Sequence, residues 1–377
     1  MMKIRIAEEN DVAALVRFNQ RLKAGGREEE IPLDPALPGE ARYRPEEFPI
    51  YRRTMIADDG QEVRAAMMLC RHNVYVDGER KDFSWTKLPI SEGIIDLKYS
   101  MAIIQIMKKA LEDQPFLMGI GAGMPDSDGH RFFVKLRWRY QSIPFFFYPV
   151  RMSRVLRELS YFKGSAQLRY GALLSAYSGL GAGLSGLLSL RRKTSPLLAR
   201  ELAGYEASVV EDFGEWADQV FTRALPDYPV AIRSDATSLN IVYPPDDRRL
   251  IRLRVRKRDS NRDAGWIVTA VKQMEENHYF GNLKVGTLVD GFGRPEDVAG
   301  LLSSGLNHLA AVGADIVVAN FSHAAWTRAC RIAGMFSGPS NFQLFVSPKG
   351  SPILEKTHPL DQIHLVRGHS DGMDNLL

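Results

Sequence analysis

Four side chains near the ends of predicted elements could move or hold a proton: Glu92, Tyr99, Asp290 and His323. Glu92 follows a strand candidate and stands beside Gly93, where a carboxylate is most simply a structural or surface group. The Tyr99 phenol could donate a proton, or it is a buried aromatic. Asp290 ends a strand, where it could orient an amine or serve as a turn or cap carboxylate. Asn320 and His323 flank a strand-to-helix junction. An imidazole there could act as a base near neutral pH, or the pair is simply a polar helix start.

Other chemistry is narrower. Residues 248–263 hold eight basic and two acidic residues. Arg252, Arg254 and Arg256 alternate with Ile251, Leu253 and Val255, so a strand would put the three arginines on one face. Such a ribbon could hold phosphates, an acidic glycan or tRNA, or it is a solvated strand face. Gly119-Ile120-Gly121-Ala122-Gly123 reads as a tight turn, because the later glycine and ribose-binding acid of a dinucleotide site are missing. The eight histidines lack metal-type spacing, and no metal is expected. No Gly-x-Ser-x-Gly elbow and no Walker loop occurs.

The elements that must position these groups follow from periodicity. The chain has 377 residues, 45% hydrophobic and 25% charged, which fits two globular domains and excludes a disordered, collagenous or coiled-coil chain. The net charge of +4 is too small to imply nucleic acid by itself. Cys70 and Cys330 cannot build a disulfide framework and fit a reducing compartment. The first nine residues lack a signal-peptide core, so a cytoplasmic protein is expected.

The first half predicts a strand at 3–6, a helix ended by Gly25-Gly26, and a polar loop over 27–49. Strands at 51–57, 63–76 and 80–89 follow, with Asp-Gly turns closing the first two. A helix at 101–113, a strand at 116–120, a helix at 131–138 and an aromatic strand at 143–150 complete it. The second half repeats this order, with strands at 250–256, 265–272, 284–289, 316–320 and 342–346 and helices at 295–312 and 324–333. Between the halves, residues 170–190 carry no charge and are flanked by Arg169 and Arg191-Arg192-Lys193. Their glycines and serines favour a packed helical linker, with peripheral contact with the inner membrane and a membrane span as the alternatives. The expected domains are 1–150, an apolar helical linker over 151–204, and 205–377.

Each half resembles the GCN5-related N-acetyltransferase (GNAT) fold. In the first half, Ile90-Ser91-Glu92-Gly93-Ile94-Ile95-Asp96-Leu97-Lys98-Tyr99 is similar to the family's fourth strand and phosphate loop. In the second, the strands ending at Asp290 and Asn320, and the run from Ala325 to Met335, are similar to its later elements. The tail Arg367-Gly368-His369-Ser370-Asp371-Gly372-Met373-Asp374-Asn375 resembles that of tandem GNAT-like proteins found with bacterial polysaccharide pathways. The fold class expected is therefore α/β (α+β): two GNAT-like mixed-sheet units in tandem.

The resemblance implies acyl transfer from acetyl-CoA or another acyl-CoA to an amine or amino sugar, in envelope or exopolysaccharide assembly. A pantetheine arm would pair with a strand edge where two parallel strands splay, and its pyrophosphate would sit on a helix N-terminus. The resemblance implies that Glu92 stands where the family's general base can sit, and Tyr99, Asp290 and His323 are the other candidate catalytic residues. It implies cofactor contacts at Ile94, Ile95, Lys98, Ser100, Gly291, Gly293, Arg294 and Asn320. Two departures stand out. Met101 and Ile103 occupy the loop's small-residue places, and Pro295 removes one amide. A FemAB-like aminoacyl transferase using tRNA, and a degenerate pair acting as a scaffold, are the alternatives.

Overall fold

The computed structural model describes residues 2–27, 31, 50–121, 127–159, 204–351 and 359–369. The apolar run 170–190, and with it both the expected helical linker and the alternative membrane contact or span, lies outside the described residues. Among the described residues, no helix is long and apolar enough to cross a membrane. The chain divides into two compact units: Met1–Gln141 with Gln343–Pro359, and Ser142–Phe342 with Leu360–Leu377.

The first unit contains β1 (Lys3–Ile6), α1 (Val12–Ala24), β2 (Tyr51–Asp58), β3 (Val63–Val76), β4 (Glu79–Ser91), α2 (Ser100–Asp113), β5 (Leu117–Gly121), α3 (Asp128–Lys135) and β6 (Arg139–Ser142). Its sheet runs β1-β2-β3-β4-β5-β15-β6, where β15 is Gln343–Val346 from the far end of the chain. The β3–β4 hairpin turns on Asp77 and Gly78, both at positive φ, with Val76 opposite Glu79. That geometry is the type the Asp-Gly pair favours. Ala102, Ile103, Ile106, Met107 and Ala110 recur at helical spacing and bury one face of α2. They pack on Met55, Met67, Leu117, Phe133 and Phe345. The expected helix at 131–138 begins earlier, at Asp128, because the Ser127 hydroxyl caps the His130 amide at 3.2 Å.

The second unit opens with β7 (Phe145–Pro149) and continues through β8 (Tyr205–Val210), β9 (Val230–Ile232), β10 (Leu250–Lys257), β11 (Asp263–Gln273), β12 (Lys284–Gly293), β13 (Ile316–Asn320) and β14 (Phe336–Gly338). The main sheet has the order β14-β7-β13-β12-β11-β10-β8. The helix Val298–Ala311 connects β12 to β13, and the helix Ala324–Ile332 follows β13. The aromatic strand expected at 143–150 therefore belongs to this sheet, paired antiparallel with β13. In the same way, β15 from the second half lies in the first unit's sheet between β5 and β6, antiparallel to β5. Each unit thus takes one strand from the other half of the sequence.

The two sheets share one irregularity. Along its main run of strands each has a parallel pair, β4 with β5 and β12 with β13. The first stops after Ser84–Leu117 and Trp85–Met118, although β4 runs on to Ser91. The second stops at Leu288–Ala319, although β12 runs on to Gly293. Just beyond each stop the departing strand bulges. Leu88 in β4 has φ of 45° within a register shift, and in β12 the register against β11 skips Val289. A bulge bends the strand and raises its local twist, which carries it away from its parallel neighbour. Each unit therefore contains a wedge between two strands.

Candidate functional site

In the first unit the residues after β4 gather in one place. The segment passes through two short 3-10 turns, Glu92–Ile94 and Leu97–Tyr99, before α2 begins at Ser100. Glu92 is buried, and both its oxygens are taken: Arg21 donates to Oε1 at 2.5 Å and Arg64 to Oε2 at 2.8 Å. These contacts tie α1, β3 and the end of β4 to one carboxylate. The Arg64 guanidinium also lies 4.4 Å from the Tyr99 ring centroid, and the Lys98 ammonium 4.7 Å from it. Lys98 is exposed and pairs with Asp96 at 2.9 Å.

Asp96 also accepts the Lys98 amide at 3.2 Å, so one amide near the start of α2 is already engaged. Ser100 begins the helix and is exposed. Ile94, Ile95, Leu97 and Met101 are exposed too, forming an apolar rim before and into α2. Of the small-residue places in the expected loop, Met101 points outward and Ile103 packs into the core.

In the second unit the polar residues meet at the β12 wedge. Asp290 is buried, with Tyr243 donating to Oδ2 at 2.8 Å and the Gly291 amide to Oδ1 at 2.6 Å. Burial outweighs these bonds and pushes the carboxyl up to about 6. Burial pushes the Tyr243 phenol up as well, and the neighbouring carboxylate adds to the rise. His323 caps the following helix, its Nδ1 accepting the Ala325 amide at 3.3 Å. Desolvation pulls that imidazole down to about 4. Its ring lies 4.6 Å from the ring of Tyr228, whose hydroxyl donates to the Gly293 carbonyl at 2.6 Å.

The residues expected to contact a cofactor here have close neighbours or partners within the unit. A Cβ at Gly291 would lie 2.4 Å from the Trp326 ring, and one at Gly293 would lie 2.6 Å from the Ala264 carbonyl. Arg294 pairs with Asp227 at 2.9 Å and with Glu296 at 3.1 Å. Asn320 accepts from Arg367 at 2.8 Å. Asp297, fully buried before the helix Val298–Ala311, pairs with Lys257 at 2.7 Å and Arg262 at 3.0 Å.

The segment Ile363–His369 lies in this wedge. Gly368 donates its amide to the Val289 carbonyl of β12 at 2.7 Å, and Val366 bridges to Phe321 just past β13. Ser322 donates its amide to the Leu365 carbonyl at 3.1 Å and accepts the Leu365 amide on its hydroxyl at 2.8 Å. Tyr243, Tyr228, His364 and Gly368 do not stand out as site residues in the sequence. The apolar run Ile363-His364-Leu365-Val366 carries a strand signal, but nothing local tells which edge it joins.

The expected cationic ribbon is not an open face. Arg252 is buried and donates to the Tyr243 carbonyl at 3.1 Å and to the Pro244 carbonyl. Arg254 is held by Asp263 at 2.7 and 2.9 Å, and its guanidinium lies 5.0 Å from the Trp216 ring centroid. The strand is where the alternation puts it, but backbone carbonyls engage the Arg252 guanidinium and Asp263 that of Arg254. Among the described residues, no group of three or more His, Cys, Asp or Glu is placed to hold a metal.

No family model matches the chain, and no curated protein sequence does. Solved structures do. A probable N-acyltransferase of unknown function from Enterococcus faecalis V583 superposes with a TM-score of 0.53 at 7% identity, covering 92% of this chain and 72% of that one. Saccharomyces cerevisiae N-myristoyltransferase with bound myristoyl-CoA and inhibitors gives 0.54 at 9% identity, covering 96% and 85%. A GCN5-related N-acetyltransferase from Kribbella flavida gives 0.50 at 10%, covering 91% and 70%. At such identities the likeness is one of fold, and with the two wedged mixed sheets it makes this chain a pair of GNAT-like α/β units.

Proposed function

We propose that the chain is an acyl-CoA-dependent N-acyltransferase that takes its thioester in the first unit. The observation that carries this reading is the early end of the β4–β5 pairing after Trp85–Met118, with β4 continuing to Ser91. A strand edge released in this way suits a pantetheine arm, whose amides can pair with a backbone. The likeness to structures described as N-acyltransferases supports the same chemistry. Acetyl-CoA or another acyl-CoA is the co-substrate, and an amine or amino sugar is the acceptor.

In this reading the acceptor amine attacks the thioester carbonyl carbon. The tetrahedral intermediate collapses with loss of the coenzyme A thiolate, and a water removes the amine's proton. Tyr99 is the proposed donor to the thiolate, with the guanidinium of Arg64 on its ring face, and the proton taken by the water restores the phenol. Lys98 and the start of α2 at Ser100 are the proposed phosphate contacts, with Ile94 and Ile95 lining the arm. Glu92 acts by position: it fixes Arg64 beside Tyr99. Acetyl-CoA should raise the melting temperature by linkage, by an amount that grows with ligand concentration. No shift at millimolar ligand would overturn the proposal.

A second reading is favoured by one observation. A carboxylate precedes each helix where a pyrophosphate would rest. Asp96 engages the Lys98 amide ahead of α2, and Asp297, ahead of the helix Val298–Ala311, is already paired with Lys257 and Arg262. On that reading the pair of units is a binding or scaffold module, and the absence of any acyl-CoA shift together with inert turnover would select it.

A further inference from the structure

We infer that the wedge of the second unit is a strand-binding site whose occupant is the chain's own segment Ile363–His369, which closes this copy to a thioester. The inference rests on the fold and does not depend on where the first unit binds a ligand.

The segment touches both walls of the opening beyond the last β12–β13 pair, Leu288–Ala319. On the β12 side, the Gly368 amide reaches the Val289 carbonyl at 2.7 Å, and His364 Nε2 lies 3.0 Å from the Gly291 carbonyl. On the β13 side, Val366 bridges to Phe321, and Leu365 exchanges two hydrogen bonds with Ser322. Ser322 Oγ also donates to the Ile363 carbonyl. On a further edge, Ile363 and His364 pair in parallel with Val230 and Ala231 of β9. A short extended stretch, Ile363–Val366, and the turn after it, in which the His369 amide bonds the Val366 carbonyl at 3.2 Å, are thus bonded from several sides.

The fit is specific as well as polar. Ile363, His364, Leu365 and Val366 are all buried. A Cβ on Gly368 would lie 2.2 Å from the Tyr243 hydroxyl and 3.0 Å from Val289 Cγ1, so a side chain there cannot be accommodated without displacing the segment. Tyr243 is at the same time the donor to Asp290, so the residue that gauges the segment also closes the floor of the wedge. A pantetheine arm would need the carbonyls at Val289 and Gly291 that the segment already holds.

The test uses full-length protein, hydrogen exchange and Gly368→Val. Displacing the segment should raise exchange of the Ser322 amide about tenfold or more, while β10 and β11 keep their protection. A synthetic peptide of residues 360–369 should then restore protection at Ser322, and the same peptide with valine at 368 should not. Unchanged exchange in the variant, or failure of the matching peptide to protect, would overturn the inference. Should Gly368→Val unfold the whole chain, Ser322→Ala supplies the test, because it removes only the hydroxyl bonds to the segment. It should speed exchange at Leu365 with the sheet intact, and an unchanged Leu365 rate would contradict the assignment.

Discussion

The Tyr243 hydroxyl donates to Asp290 Oδ2 at 2.8 Å, and both residues are buried. The carboxyl is pushed up to about 6 from an ordinary 3.8 because burial penalises its charge more than Tyr243 and the Gly291 amide favour it. A carboxyl raised in the folded state binds its proton more tightly there than in the unfolded chain. Its contribution is full below about 3.8 and is lost as pH rises through about 6. Asp290→Asn should remove that slope from a plot of stability against pH between about 4 and 7, as measured by urea unfolding. An unchanged slope would mean the carboxyl titrates normally.

Tyr243→Phe leaves one oxygen of a buried carboxylate without its donor. The expected loss is about 1–3 kcal/mol at neutral pH. The same measurement should show a smaller loss near pH ~4, where the protonated carboxyl demands less.

Glu92 offers a sharp contrast between anchoring and catalysis. With Arg21 and Arg64 on its two oxygens, Glu92→Gln should cost about 1–3 kcal/mol and lower the melting temperature. Turnover per folded molecule should fall less than about tenfold. An unchanged melting temperature with turnover abolished would make Glu92 the base.

His323 should leave a mark on acid stability. Its imidazole is pulled down to about 4 by burial, so the unfolded chain binds the proton first as pH falls below about 6.5. The stability it lends is therefore present above about 6.5 and lost as pH drops through about 4. His323→Asn keeps a cap acceptor for the Ala325 amide but cannot titrate in this range. It should flatten the acid limb of the stability profile.

Gly291 lies against Trp326 and Ile267, with no room for a Cβ. Gly291→Ala would push a methyl against Trp326, at an expected cost of about 1–3 kcal/mol. Acyl-CoA affinity, read by calorimetry on the folded variant, should not change.

Local patterns carry much of the fold. Alternation and the Asp77-Gly78 pair specify the β3–β4 hairpin, and the helical spacing of Ile103 and Met107 places the buried face of α2. Pairing partners are another matter. Phe145–Pro149 reads as an aromatic strand anywhere, but its place beside β13 depends on residues more than 160 positions away. The same holds for Glu92, whose role is set by Arg21 and Arg64 on other elements. The family resemblance points to two splayed strand pairs, and both are there. That the chain's own Ile363–His369 lies in one of them is not legible in composition or spacing, because a short apolar strand carries no address.

The most direct measurement is hydrogen exchange of the full-length protein with and without saturating acetyl-CoA. One equivalent should bind per chain, with new protection confined to β4 beyond Trp85 and the start of α2, and none on β12. No protection anywhere, or protection on β12 with β4 unaffected, would contradict a thioester site in the first unit.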